Sequence, residues 1–364
     1  MKSKIIYKLV LIFALLPVVV SASTNPEKKD KHTEEKTIKK SYSVSENARL
    51  KIDNSYGNLD VITWNENRIE IVVNITVSGN DEDKVREKID DITVDFEGSS
   101  NYVSAQTIFN NRKSNSWWNW GSNNSINMKV NYVIKMPMTN SVDLNNDYGS
   151  ITLDKLEGNA KINCDYGKIT TKELMGTNNQ IEFDYTKNSY FEYINGGTIN
   201  ADYGEFTVAK AKTITLEADY TNSKFETIED LKYDCDYGSL TADRANNVNG
   251  VGDYLTVVLG DIYKNVTLDS DYGSIKIKNM KETAKNITID SDYVGIHIGF
   301  ETGYHFNFEI DLDYASLRSH DGFEFNKKRD ESTSKYYQGY YGSSNTTNNI
   351  KINSDYGSVT IDKN

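Results

Sequence analysis

The sequence predicts an all-β protein: a single parallel β-solenoid of about 12 coils of 17–21 residues, with an N-terminal capping excursion that contains one short helix. Three observations predict it. Asp-Tyr recurs with its Tyr at 148, 166, 185, 203, 220, 237, 254, 272, 293, 314 and 356, in steps of 18, 19, 18, 17, 17, 17, 18, 21, 21 and 42. Apolar residues alternate with polar ones on both sides of each Tyr, as short strands require. A unit of this length is too short for a helix pair or a propeller blade, and it fits one coil of a stacked array.

The first element, residues 1–22, reads as a secretory signal peptide. Lys2, Lys4 and Lys8 precede an apolar run from Leu9 to Val20, and Val20-Ser21-Ala22 supplies a small-residue cleavage site. Pro17 interrupts the run, which is short for a membrane span, and no Cys follows Ala22. Without Lys2, Lys4 and Lys8, the remaining chain holds 38 basic and 53 acidic residues, a charge of −15. Such a chain repels nucleic acid and anionic lipid. No membrane insertion is expected after cleavage. Residues 23–41 are almost wholly polar or charged and read as a disordered linker.

Residues 42–140 are expected to hold a first coil and the cap. Around Tyr56 lie Leu50, Ile52, Asn54, Gly57, Leu59, Val61 and Trp64, in the same positions as in the later repeats. Strand-like runs then cover Ile69–Val77, Thr93–Glu97, Tyr102–Phe109 and Ile126–Met136, with a helical candidate from Asp81 to Ile92. This excursion is expected to cover the open end of the array, where strand edges are otherwise unpaired.

Residues 141–364 carry the repeats, with a loop insertion at about 326–349 that accounts for the 42-residue step. Four residues before each Tyr stand Leu144, Ile162, Ile181, Ile199, Leu216, Tyr233, Gly250, Leu268, Ile289, Ile310 and Ile352. Two before are chiefly small residues, and the third and fifth positions after are mostly apolar. The inward parity shifts by one across the Tyr, so a corner lies there. Gly follows the Tyr in six of the eleven repeats and is expected to supply a positive φ. Cys164 and Cys235 occupy the same inward position four coils apart. At ~4.8 Å per coil they stand roughly 19 Å apart, so two buried free thiols are expected.

At Asn54-Ser55-Tyr56-Gly57, Leu59-Asp60-Val61, Trp64, Val130-Asn131-Tyr132-Val133-Ile134-Lys135-Met136-Pro137 and the Asp-Tyr-Gly-Ser-Ile coils, the chain resembles the bacterial putative-adhesin domain family. That is a domain-of-unknown-function group of β-solenoids related to the head domain of predicted autotransporter adhesins. The resemblance spans roughly Tyr42 to Asp362. It implies an adhesin-like role and offers no catalytic residues. No autotransporter barrel is evident.

Candidate sites follow from the repeat and from two excursions. Asp147, Tyr148, Asp165, Tyr166, Asp202, Tyr203, Asp236, Tyr237, Asp271, Tyr272, Asp355 and Tyr356 belong to a structural ladder. Unit charges ~4.8 Å apart repel by about 0.9 kcal/mol even in bulk water, so each Asp is expected to accept hydrogen bonds from the amides of its own turn. A row of bound cations is the sharper alternative, though each coil offers one well-placed carboxylate and Ca²⁺ takes six or more oxygens. The Tyr rings are expected to stack on the small residues two positions earlier, with a flat sugar- or peptide-binding surface as the alternative. Trp117, Trp118 and Trp120 in a Ser/Asn-rich segment, and Tyr336, Tyr337, Tyr340 and Tyr341 in the insertion, are the candidate binding residues.

No catalytic, metal or cofactor signature stands out. His32, His297, His305 and His320 lack metal spacing, and Gly250-Val251-Gly252 sits in repeat register rather than in a nucleotide loop. The expected function is an exported, non-enzymatic adhesin, binding or scaffold protein of a Gram-negative envelope, in the periplasm, at the cell surface or outside the cell. A glycan or a protein surface is the partner class. A carbohydrate-active enzyme on a β-helix and a periplasmic protein-binding accessory in envelope sensing are the alternatives. Ligand and oligomeric state are not specified by the sequence.

Overall fold

A computed structural model describes residues 31–110, 126–318 and 321–364. Among these residues, twenty-seven strands join in one hydrogen-bonded sheet, and the helix Glu82–Asp91 is the single α-helix. The protein is therefore nearly all β, and its sheet stays open rather than closing on itself.

Successive repeats lie side by side in parallel. Ala160–Asp165 pairs with Ser141–Asp147 so that Ile162 faces Leu144 and Asp165 faces Asp147. Beyond the corner, Lys168–Leu174 pairs with Ser150–Leu153, with Ile169 facing Ile151. The same relation continues to Ile287–Asp292 on Val266–Asp271. Equivalent positions thus form columns, because a slip of one residue would turn every apolar side chain outward. Where the repeat is 17 residues long, the two arms fuse into continuous strands such as Glu205–Asp219 and Asn222–Asp236, paired in parallel.

The inward columns make one continuous core. Leu144, Ile162, Ile181, Ile199, Leu216, Leu268 and Ile289 are all buried, and Phe183, Phe206 and Phe225 pack edge to face. The two odd members of the fourth-before-Tyr column compensate one another. Tyr233 is fully buried, and a Cβ on the facing Gly250 would lie 2.0 Å from its ring. Gly250 is therefore a packing residue. Cys164 and Cys235 are buried and unpaired, and burial pushes both thiols up to about 12.

The excursion after Tyr56 covers one end. Arg49–Ser55 pairs inward with Ser141–Asp147 and outward with Tyr102–Phe109. Leu59–Trp64 pairs with Ser150–Leu153 and with Ile126–Pro137. Arg68–Gly79 then runs antiparallel to Ile126–Pro137. The helix Glu82–Asp91 starts where the Asp81 carboxylate accepts from the Lys84 amide, and it buries Val85 and Ile89.

Three sequence expectations need correction. The supposed disordered linker is, from His32 onward, the strand His32–Ser43, paired antiparallel with Arg68–Gly79 over its whole length. Its backbone hydrogen bonds and the part-buried Ile38 and Tyr42 hold it, although its composition is that of a solvated segment. Next, the insertion at 326–349 is not a loop. Phe323–Asp330 and Ser334–Tyr341 form an antiparallel pair, and the latter also pairs antiparallel with Phe306–Asp313.

The third concerns order. The Tyr356 repeat does not follow the Tyr314 repeat in space. Asn349–Asp355 lies between Ile287–Asp292 and Phe306–Asp313, parallel to both, and Ser358–Lys363 lies between Gly295–Phe300 and Ser316–Arg318. The last repeat in sequence is thus the penultimate one in the stack.

Candidate functional site

Each repeat turns at its Tyr, and that residue carries the left-handed backbone itself. All twelve corner tyrosines, Tyr56 included, have φ between 51° and 62°, whereas the Gly that often follows does not. Glycine is used after the corner for closeness instead: a Cβ on Gly149 would meet the Gly57 carbonyl oxygen at 1.8 Å, and one on Gly167 the Gly149 oxygen at 2.0 Å. A bulky residue at positive φ is uncommon. Here the turn is held from the next repeat. The Tyr148 N–H donates to the Asp165 carbonyl at 2.9 Å and Tyr220 N–H to Asp236 at 2.9 Å, and the pattern continues through Tyr293 to Asp355 and Tyr356 to Asp313.

This backbone turn aims every ring outward, which corrects the expectation that the rings pack on the small residues two positions earlier. Those small residues face the core. The rings stack on one another, in the order 56, 148, 166, 185, 203, 220, 237, 254, 272, 293, 356, 314. Centroids are 4.7–5.2 Å apart and ring planes lie within 9° of parallel. Carbon contacts near 3.5–4.0 Å at that separation require slipped stacking, the arrangement favoured by the ring quadrupole. The faces of the interior rings are covered by their neighbours on either side, so what stays open is the outer edge of each ring. Exposure runs from 44% at Tyr237 to 61% at Tyr314 among the eleven rings from Tyr148 onward, and Tyr56 is half-buried. Phe109 closes the row at one end, edge-on to Tyr56 at 5.7 Å.

The surroundings are acidic. The Asp165 carboxylate accepts from the Asp184 amide at 3.2 Å, Asp202 from Asp219 at 3.1 Å, Asp236 from Asp253 at 2.8 Å and Asp271 from Asp292 at 3.0 Å. Each of these carboxylates therefore bonds the next repeat, not its own turn as expected. Partial burial, and after it the neighbouring carboxylates, raises the pKa of Asp147, Asp184, Asp219 and Asp355 above the ordinary value. A second column two residues earlier adds Asp234, Asp269, Asp290 and Asp311, and Asp269 is raised for the same reasons. The ring hydroxyls of Tyr166, Tyr203, Tyr237, Tyr272 and Tyr356 are raised as well, by desolvation first and by neighbouring rings and Asp after it.

Other expected sites fall differently. Trp117, Trp118 and Trp120 lie outside the described residues. Tyr337 and Tyr341 are buried: Tyr341 packs on Phe300 at 4.8 Å and Phe306 at 5.6 Å, and Tyr337 on Phe325 at 5.9 Å. Tyr336 lies under the Lys327 ammonium at 4.8 Å, and Tyr340 is half-buried. The four tyrosines thus sit on a strand held between Phe306–Asp313 and Phe323–Asp330, two inward and two outward, not on an exposed loop. Among the described residues no group of three or more His, Cys, Asp and Glu is arranged to hold a metal ion. A typical concavity is a shallow one of about 270 Å³ over strand faces, lined by Gln180, Glu182, Thr198, Asn200, Thr215 and Glu217. No described helix is long and apolar enough to cross a membrane.

No family model matches the chain, and no curated protein is significantly similar to it. Solved structures bearing the adhesin label do match. A putative cell adhesion protein from Clostridium sporogenes is 11% identical, with 92% of this chain and 100% of that one covered at a TM-score of 0.18. A putative adhesin from Parabacteroides distasonis is 8% identical over 90% and 97%, TM-score 0.26. A putative lipid binding protein from the same organism is 9% identical over 90% and 96%, TM-score 0.26. At this level of identity and overlap their names do not extend to this chain.

Proposed function

We propose that this chain is a parallel β-solenoid exported to the bacterial envelope or surface, where it binds a partner without chemical turnover, as an adhesin or scaffold. One observation carries the reading: an unbroken row of twelve outward tyrosines, fixed on a hydrogen-bonded frame, eleven of them about half open to solvent. Soluble proteins rarely keep so many large rings on one line of surface without a use for them. The frame repeats one surface chemistry every ~4.8 Å, which favours many weak contacts along a length over one deep pocket. The Trp117-Trp118-Asn119-Trp120 segment enters this reading from its sequence alone, as a second anchor.

Two measurements test it together. Expression in a bacterial host followed by fractionation should recover the protein outside the cytoplasm with Ser23 at its N-terminus. Arrays of glycans and envelope proteins probed with that material should give retained, unmodified ligands. Cytoplasmic retention with residues 1–22 intact, or release of shortened sugars from the array, would contradict the proposal.

A further inference from the structure

We infer that the tyrosine row is a track for an uncharged, extended, β-linked hexopyranose chain, bound lengthwise with about one sugar per tyrosine; this rests on the binding reading above. The geometry argues first. A ring step of 4.7–5.2 Å matches the length of one hexopyranose unit in an extended 1,4-β-linked chain. An extended peptide advances ~3.3 Å per residue and loses register with the rings within a few residues. The C–H groups on the alternating faces of such a sugar would meet the open outer ring edges in turn, and its equatorial hydroxyls point to the sides.

Those sides hold what hydroxyls need. The ladder tyrosine hydroxyls carry no hydrogen bond to protein among the described residues. On one side run carboxylates such as Asp202 and Asp236, with Glu182, Asn200 and Glu217 two residues further upstream; on the other stand Ser150, Lys168, Asn222 and Ser239. The ligand would bridge these columns without leaving a buried polar group unpaired.

Charge selects among ligands. An Asp column runs beside the rings on their upstream side, with further carboxylates in the mixed column two residues earlier, and none of the eleven Asp that precede the ladder tyrosines is in a salt bridge among the described residues. Acidic polysaccharides, nucleic acid and anionic lipid are repelled, and so is a second copy of this chain laid row against row. A neutral polymer with many hydroxyls pays no such penalty.

The test uses the whole protein and cellohexaose, N-acetylated chitohexaose and cellobiose, followed by calorimetry. A hexasaccharide should bind at least about tenfold more tightly than the disaccharide, with little change between low salt and about 0.5 M NaCl. Tyr203→Asn, Tyr220→Asn and Tyr237→Asn combined should weaken it about tenfold or more, and Asn accepts the left-handed turn. Tyr190→Asn, an exposed tyrosine off the row, should leave it unchanged. If the triple Asn variant is not folded by circular dichroism, Tyr→Phe at the same three positions serves, with a severalfold loss expected. Failure of both hexasaccharides to bind, or full binding by the folded triple variant, overturns the track. Salt-sensitive binding of an oligolysine in their place also overturns it yet leaves the broader binding function standing. Silence toward every probe and array ligand removes both.

Discussion

At the scale of single residues, the corner tyrosines invert the usual division of labour at a turn. The left-handed conformation is taken by the residue with a large side chain, and glycine serves where a neighbouring carbonyl presses close. That difference is measurable at two glycines. A Cβ on Gly149 would overlap the Gly57 carbonyl oxygen, a backbone atom that cannot swing away, whereas nothing lies within 4 Å of one on Gly295. Gly149→Ala should cost about 3 kcal/mol or more, and Gly295→Ala should fall within about 0.5 kcal/mol of the parent in urea unfolding. Equal effects would show that the glycines are interchangeable. The sequence made the columns legible, since a two-residue alternation fixes which side chains share a face. It did not show which residue takes the positive φ. Tyr is a poor candidate on intrinsic grounds, and the stabilising N–H to Asp carbonyl bond and ring stacking come from the adjacent repeat.

Among the elements, what escaped the sequence is pairing rather than strand location. The Tyr314 and Tyr356 repeats share the same inward alternation, differing two residues before the Tyr, where Leu312 and the buried Ser354 stand, so alternation alone does not say which lies against the Tyr293 repeat. Only the short link through Phe323–Tyr341, folded as a pair of strands over the outer edge, settles the arrangement. His32–Ser43 escaped for a different reason. An outermost strand gains charged residues that discourage further strand addition, and the same charges imitate a disordered segment. Lys327, Lys328 and Arg329 play this part on the opposite outer strand, Phe323–Asp330. A consequence can be checked by deletion. The strands Phe306–Asp313 and Ser316–Arg318 pair with the rest of the sheet through 349–363. Removing residues 343–364 should therefore release 306–341 to rapid hydrogen exchange and proteolysis, while strands up to Phe300 stay protected. Unchanged protection of 306–341 would refute this account.

Considered as a whole molecule, the stack carries a load along one face, from the partial burial of its carboxylates first and their mutual repulsion second. Asp147, Asp184, Asp219, Asp269 and Asp355 all have raised values, so the folded form holds protons more tightly than the unfolded one. The stability they allow is complete below the ordinary Asp value of 3.8 and is lost as pH rises through their folded values. Melting temperature should therefore climb as pH falls from 7 towards 4, and added salt at pH 7 should reproduce part of the gain by screening. Glu301, held low by Lys281, acts in the opposite sense and only below the ordinary Glu value of 4.5. A melting temperature that falls steadily from pH 7 to pH 4 would count against the load.

The threading of the final repeat also sets a timetable. Repeats can join the growing stack in the order in which they emerge as far as Phe300, each templated by the one before. The next one in line has no seat until the chain's last fifteen or so residues arrive and slip in ahead of it. Residues 306–341 must wait as a small sheet of their own, and the two closing repeats dock together. Unravelling meets the same obstacle in reverse, because the C-terminal strands are gripped on both sides and cannot peel away first.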